Sequence, residues 1–336
     1  MNENINTTKI LTIASAALIL AGCAKSTSTD TNQDLRDYFE AWMAANYPDV
    51  IPDEHDIYLI SETEGQGEPL IDQSYMYVRY NAADIEGNIS YTTDEKVAKQ
   101  LGTYAKGNYY GPIVVATDGL MTGLGYMVVG MNIGGSRKGI IPFWMNTYSV
   151  YDTQKEYFKK ASSTTSVMYD LTLVDTINDI NKWEIDSLET HLTKVYKAKP
   201  DSLSYGYYYY QKTPPESEDE FPRDTTIYIN YTGRLLNGQV FDTTIKDTAI
   251  VHGIYSTSKT YSPVSVTWGT EESKLEMNQS SLISGFAKAL WNMHAFEKGR
   301  AYFISSLGYS YSGSGDQIPA YSPLDFEIEL VEKPES

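Results

Sequence analysis

Two hydrophobic periods alternate along this chain, and each change of period marks an element. Over 34–47 the apolar residues Leu35, Tyr38, Phe39, Trp42 and Met43 recur at helical spacing, and Pro48 ends the run. The period then falls to two: IYLISETEG at 57–65 reads as a strand, Gly65-Gln66-Gly67 as a turn, and YMYVRY at 75–80 as a second strand. The same order returns later. A helical face carrying Trp183, Leu188, Leu192 and Val195 precedes the strands YGYYYY at 205–210 and IYINY at 227–231. The clearest alternation is TIYINYTGRLLNGQVFD at 226–242. It sets Ile227, Ile229 and Tyr231 on one face, turns at Leu236-Asn237-Gly238, and re-enters a strand at Phe241.

The recurrence extends beyond the strands. Gly123-Leu124 stands as far before Met131 as Gly285-Phe286 stands before Met293. Arg137-Lys138-Gly139-Ile140-Ile141-Pro142 parallels Arg300-Ala301-Tyr302-Phe303-Ile304-Ser305, and VMYDLTLVD at 167–175 parallels DFEIELVE at 325–332. A tandem repeat of two similar domains, 34–178 and 179–336 with the junction near 176–183, is the economical reading. At 336 residues and 41% hydrophobic, the chain can build both cores. The acidic, proline-rich stretch KTPPESEDEFPRDT at 212–225 reads as a loop.

Composition narrows the partners. A net charge of −18, from 44 acidic and 26 basic residues, leaves no basic face for neutralising phosphates and argues against a nucleic-acid partner. The 29 tyrosines suit half-buried strands whose rings pack while their hydroxyls stay wet. The histidines His55, His191, His252 and His294 are dispersed, and the glycine-rich stretch at 130–136 lacks the lysine and hydroxyl order of a phosphate loop, so no metal or cofactor is expected.

At the N-terminus Lys9 precedes an apolar run at 10–20, too short for a mature membrane anchor, which ends in Leu20-Ala21-Gly22-Cys23. That ending looks like a bacterial lipobox, so 1–23 is expected to be a lipoprotein signal peptide with Cys23 the lipidated residue. Cys23 is also the single cysteine, which excludes an internal disulfide and a cysteine nucleophile. The polar segment 24–33 reads as a tether. The expected location is the cell envelope, lipid-anchored at the outer membrane and facing the periplasm or the exterior.

Downstream of the 226–242 hairpin come Ser281-Leu282-Ile283-Ser284-Gly285-Phe286 opening a helix, RAYFISSLGYS at 300–310, Ile318-Pro319, and the strand 324–330. These motifs, in this order over about residues 205–332, resemble the FKBP-type peptidyl-prolyl cis-trans isomerases. The resemblance implies an α+β fold: two tandem FKBP-like domains, each a twisted antiparallel sheet of five or six strands wrapped around one short helix and preceded by a helix and a strand. It also implies a pocket in the second domain. Tyr231, Phe241, Asp242, Tyr309 and Phe326 would be catalytic, and Val264, Leu282, Ile283, Phe286 and Ile318 would bind substrate. In that scheme Phe286 takes the place where the family often has Trp, Tyr309 offers its hydroxyl to the substrate carbonyl, and Asp242 orients against Tyr231 or the twisted amide.

Departures from the family pattern are Ser310 for Gly after Tyr309, Ile304 or Ser305 where Pro is usual, and insertions between Asp242 and Val264 and between Trp268 and Ser281. In the first domain Tyr80 matches Tyr231. Ser90-Tyr91 replaces Phe-Asp, and Thr147 or Tyr148 falls at the Tyr309 position, so that domain is expected to be a binding or structural module. The implied activity is isomerisation of X–Pro bonds in unfolded or folding envelope polypeptides, without a cofactor. The alternative is a non-catalytic surface lipoprotein whose domains bind peptide or glycan.

Overall fold

The computed structural model describes residues 31–198 and 201–334. The signal peptide, Cys23 and most of the expected tether lie outside the described residues. The tether's last three residues do not: α1 (Thr31–Asn46) begins at Thr31, ahead of the expected start.

α1 buries Phe39 and Met43, with Phe39 edge-on to Tyr58 and Trp144, whereas Tyr38 points outward and donates to Glu86. After it come β1 (Tyr58–Thr63), β2 (Tyr75–Ala83), β3 (Ile89–Thr92), α2 (Glu95–Leu101), β4 (Ile113–Ala116), α3 (Thr122–Val128), β5 (Ser136–Ile141), α4 (Gln154–Lys159) and β6 (Val167–Ile177). α5 (Ile180–Tyr196) opens the second unit, capped by the Asp179 carboxylate on the Lys182 N–H. Then follow β7 (Tyr207–Thr213), β8 (Thr226–Leu235), β9 (Val240–Thr243), α6 (Lys246–His252), β10 (Val264–Thr267), β11 (Glu276–Met277), β12 (Ser280–Ser281), α7 (Ser284–Trp291), β13 (Lys298–Phe303) and β14 (Leu324–Val331).

The two sheets repeat one topology. The first runs β1-β5-β6-β2-β3 with β4 also on β2. The second runs β7-β13-β14-β8-β10-β11-β12 with β9 also on β8, and every pairing is antiparallel. The first sheet has six strands and the second eight, because the insertion after Trp268 adds the β11–β12 hairpin at an edge. Register sets the correspondence between the units. Tyr80 faces Leu171 as Tyr231 faces Ile328, and Tyr169 faces Ala82 as Phe326 faces Gly233. It also corrects the sequence alignment by one residue: Gly139 opposite Tyr169 matches Ala301 opposite Phe326, so Lys138 and not Arg137 is the counterpart of Arg300.

Each sheet wraps its short helix, α3 or α7, whose small and apolar residues face the core. Gly285 lets α7 lie against β13, since a Cβ there would come within 2.5 Å of the Phe303 ring. α5 covers the opposite face of the second sheet with Leu188 and Leu192 on Tyr208, Tyr302 and Ile304; Val195, expected on that face, is exposed.

α5 also explains one departure in the sequence. Buried Glu184 accepts from the Ser305 hydroxyl at 2.6 Å and from the Ser305 N–H, a donor that proline lacks. Burial raises the Glu184 carboxyl to about 7. A carboxyl raised in the folded state costs stability as pH rises from its unfolded value toward its folded one, here from about 4.5 to about 7. Glu184→Gln should therefore gain on the wild type between pH 5 and pH 8 by roughly 2–3 kcal/mol in urea unfolding. A difference that stays constant across that range would show that the group titrates normally.

Candidate active site

The pocket floor is aromatic, and each ring comes from a different element. Tyr231 stands on β8, Phe241 on β9, Phe286 on α7 and Phe326 on β14. Phe286 and Phe326 lie 5.0 Å apart between ring centres, Tyr231 and Phe286 5.4 Å, and Phe241 and Phe326 5.5 Å, all edge-to-face. That arrangement sets the positive rim of one ring against the negative face of the next. Gly233, paired with both Asp242 and Phe326, makes room for it, because a Cβ there would sit 2.6 Å from Phe241 and 2.8 Å from Phe326. Ile318 is buried in the same cluster, while Val264, Leu282, Ile283 and Tyr309 pack on it half-buried as a rim. The structure thus brings together every residue expected at the site.

Asp242 is committed to the protein. Its carboxylate accepts from the Tyr231 hydroxyl at 2.6 Å and the Thr243 N–H at 2.8 Å, and it is paired with the Lys259 ammonium. Of its two expected roles, the geometry is that of orienting against Tyr231. Burial, and then the charge on Asp242, push the hydroxyls of Tyr231 and Tyr309 above their usual range, so both keep their protons near neutrality. Among the described residues neither the Tyr309 hydroxyl nor the Ile283 N–H has an acceptor in the protein. The site therefore offers an apolar floor and two free donors, with its one carboxylate neutralised.

In the first domain the equivalent place is built differently: Tyr91, at the position of Asp242, is 45% exposed and lines a cleft of about 480 Å³ together with Ser90, Tyr109 and, from the second domain, Ile318. The Tyr91 ring stacks on Tyr80 at 5.0 Å, Tyr169 stands 6.2 Å from Tyr80, and the Ser90 hydroxyl donates to the Ala82 carbonyl. Tyr148 is 70% exposed and cannot serve as Tyr309 does. A cleft of about 580 Å³ opens between the domains, with Tyr77, Trp183, Leu235 and Tyr321 in its walls, and includes none of the pocket residues.

Lys259 was not foreseen. It belongs to the insertion between Asp242 and Val264, and that insertion is itself repeated: Thr-Thr, Ala, Gly, Tyr, Tyr and Pro recur at the same spacing over 92–112 and 243–263. In each copy a helix ends on a left-handed glycine, Gly102 or Gly253, and two tyrosines then stack. Tyr104 lies 5.4 Å from Tyr110 and Tyr255 5.3 Å from Tyr261, the second ring's hydroxyl accepting from a backbone N–H beside the first. Aligning the two halves through these tyrosines would have found the loop.

A profile of the family described as FKBP-type peptidyl-prolyl cis-trans isomerase matches residues 218–331. The chain is 33% identical over 136 residues to FK506-binding protein 2 of Dictyostelium discoideum, a match covering 40% of this chain and 83% of that one. The chain belongs to the FKBP-type isomerase family. Similarity to the peptidyl-prolyl cis-trans isomerase FKBP10 of Bos taurus is lower, 22% over 261 residues, but runs through both halves, 78% of this chain and 34% of that one. A solved structure, the peptidyl-prolyl cis-trans isomerase of Pseudomonas syringae pv. tomato, is 27% identical with a TM-score of 0.31, covering 45% of this chain and 94% of that one. Chain order and sheet topology make the protein a tandem of FKBP-like domains, the second carrying the four-ring aromatic floor and the first a Tyr80–Tyr91 stack in its place.

Proposed function

We propose that the second domain is a peptidyl-prolyl cis-trans isomerase acting on unfolded or folding polypeptides of the cell envelope, tethered to the membrane through lipidated Cys23. The observation that carries the reading is the enclosed aromatic floor of Tyr231, Phe241, Phe286 and Phe326 beneath two donors left free by the protein. Rotation about an X–Pro bond faces a barrier of about 18–20 kcal/mol, because amide resonance must be lost. No proton has to move. The twisted amide is less polar than the planar one, so a dry floor favours it, and each 1.36 kcal/mol of that preference is about tenfold in rate. In this reading the Ile283 N–H holds the substrate chain and the Tyr309 hydroxyl donates to its carbonyl. Asp242 and Lys259 keep Tyr231 oriented.

The test is isomerisation of a tetrapeptide with an apolar residue before proline, followed with the full mature chain. Acceleration over the uncatalysed rate is expected. A folded protein without it would favour the second reading, a non-catalytic binding protein, which is supported for the first domain by Tyr91 standing where the second domain has Asp242. The anchor has its own check: Cys23→Ser should accumulate as an uncleaved precursor, and normal cleavage with release would exclude lipidation.

A further inference from the structure

The loop that follows Tyr309 and carries Ile318 to the pocket is held to its own domain by the packing of Tyr309 and Ile318 on the core, without a hydrogen bond to the sheet among the described residues. Its internal bonds tie Ser314 to Ile318, Gly313 to Tyr309, and Tyr321 to Ser310. They close the loop on itself without fastening it to the sheet. The hydrogen-bonded fastening comes from the first domain. The Tyr109 N–H donates to the Asp316 carbonyl at 2.7 Å, the Asn108 amide reaches the Asp316 carboxylate at 3.3 Å, and Tyr75 meets the ring of Tyr321 edge-on at 5.2 Å. Ile318 lies between these two points of attachment.

The source of the contact is the repeated insertion. At the position where Lys259 of the second domain pins that domain's own Asp242, the first domain has Asn108, followed by Tyr109. The first copy has no carboxylate of its own to hold, since Tyr91 stands in the place of Asp242. Its loop turns instead to the neighbouring domain. Two further bonds hold it there, from the Gln239 amide to the Gly107 carbonyl at 2.9 Å and from the Lys106 ammonium to the Val251 carbonyl at 2.8 Å. The Tyr109 ring packs on the second domain's core, and Gly107 lies so close that a Cβ would be 3.1 Å from Ile254 and 3.2 Å from Gln317.

We propose that the first domain braces the pocket rim of the second, with Tyr109, Asn108 and Tyr75 as positioning residues that hold the 309–321 loop, and thus Ile318, in the substrate-competent arrangement. This rests on the isomerase reading for its catalytic consequence and stands without it as a statement about the loop. Removing the brace leaves the competent arrangement only fractionally populated, and apparent affinity falls by that fraction while saturating substrate restores it. Global destabilisation does the opposite, lowering the active concentration and hence kcat with KM unchanged.

The experiment compares full-length Tyr75→Ala/Tyr109→Ala with Tyr75→Phe/Tyr109→Phe on a proline tetrapeptide, beside amide hydrogen exchange. The alanine pair should raise KM roughly fivefold to tenfold with kcat held, since it removes both rings although the Tyr109 N–H still reaches Asp316. The phenylalanine pair keeps the rings, loses the Tyr109 hydroxyl's bond to the Pro112 carbonyl, and should lie near the wild type. Exchange at 313–321 should accelerate in the alanine pair while β8 and β14 keep their protection. Unchanged exchange in that loop overturns the proposal, as does a loss confined to kcat. A wild-type protein inactive on every proline peptide would sink the isomerase reading alone, and the exchange comparison would still decide whether the brace exists.

Discussion

Phe326→Ala should cost roughly 3–5 kcal/mol of stability in the second domain, the range for emptying a phenylalanine site in a packed core. The ring is 4% exposed and is in contact with Tyr231, Phe241, Phe286 and Phe303, so no single neighbour can move in without abandoning another partner. Against a typical domain stability of about 5–15 kcal/mol, the variant would be partly unfolded on mild warming. Its catalytic efficiency, corrected for the folded fraction, should fall as well. The truncation removes ring surface against which a twisted amide would rest and loosens the three rings set against it. Phe326→Leu refills most of the volume and should recover much of the stability, yet it removes the flat ring against which Phe286 and Phe241 are set. Urea unfolding and a proline-peptide assay on the same preparations separate the two effects. A cost below about 1 kcal/mol would mean that the four-ring cluster is not a packed core, and full efficiency in the folded fraction would remove Phe326 from the site.

Much of this cluster was legible in the chain because it depends on local pattern. Alternation placed Tyr231 inward on its strand, the Asn237-Gly238 turn fixed where Phe241 re-enters, and Gly285-Phe286 marked a helix that must lie close to a strand. What escaped were features fixed by partners distant in sequence. Lys259 is an ordinary loop lysine until the fold brings it to Asp242, and nothing local distinguishes it from Lys246. Glu184 reads as a solvated helix residue, but its burial follows from the position of Ser305, which lies far along the chain. The short helices α2 and α6 carry too few turns for a periodic signal, and their caps are the stronger cue: Asp94 at the start of one and the left-handed glycines at the end of both. Tyr38 and Val195 fell on the apolar stripe by spacing yet face solvent, since each helix buries a narrower face than its pattern offers.

Asp242→Leu should reduce catalytic efficiency by more than tenfold, and by more than Tyr309→Phe. The carboxylate makes three contacts within the protein, so its loss leaves the buried Tyr231 hydroxyl without an acceptor, at a cost of about 1–3 kcal/mol, and frees that ring from its orientation on the pocket floor. Lys259, about a third exposed, can turn to solvent at little cost. Asp242→Asn separates charge from geometry. It keeps an oxygen for Tyr231 while giving up the pairing with Lys259, and should lie between the wild type and the leucine variant. Tyr309→Phe deletes one half-buried hydroxyl that bonds nothing in the protein. It should therefore leave unfolding unchanged and lower efficiency tenfold or less, the equivalent of about 0.5–1.5 kcal/mol for a single donor. The efficiency of the wild type should be flat from about pH 6 to 8, because the Tyr231 and Tyr309 hydroxyls are both pushed upward and stay protonated across that window. A bell-shaped profile there, or complete inactivation by Tyr309→Phe in a folded protein, would mean that a proton is transferred in the rate-determining step, and the desolvated-pocket mechanism would have to be abandoned.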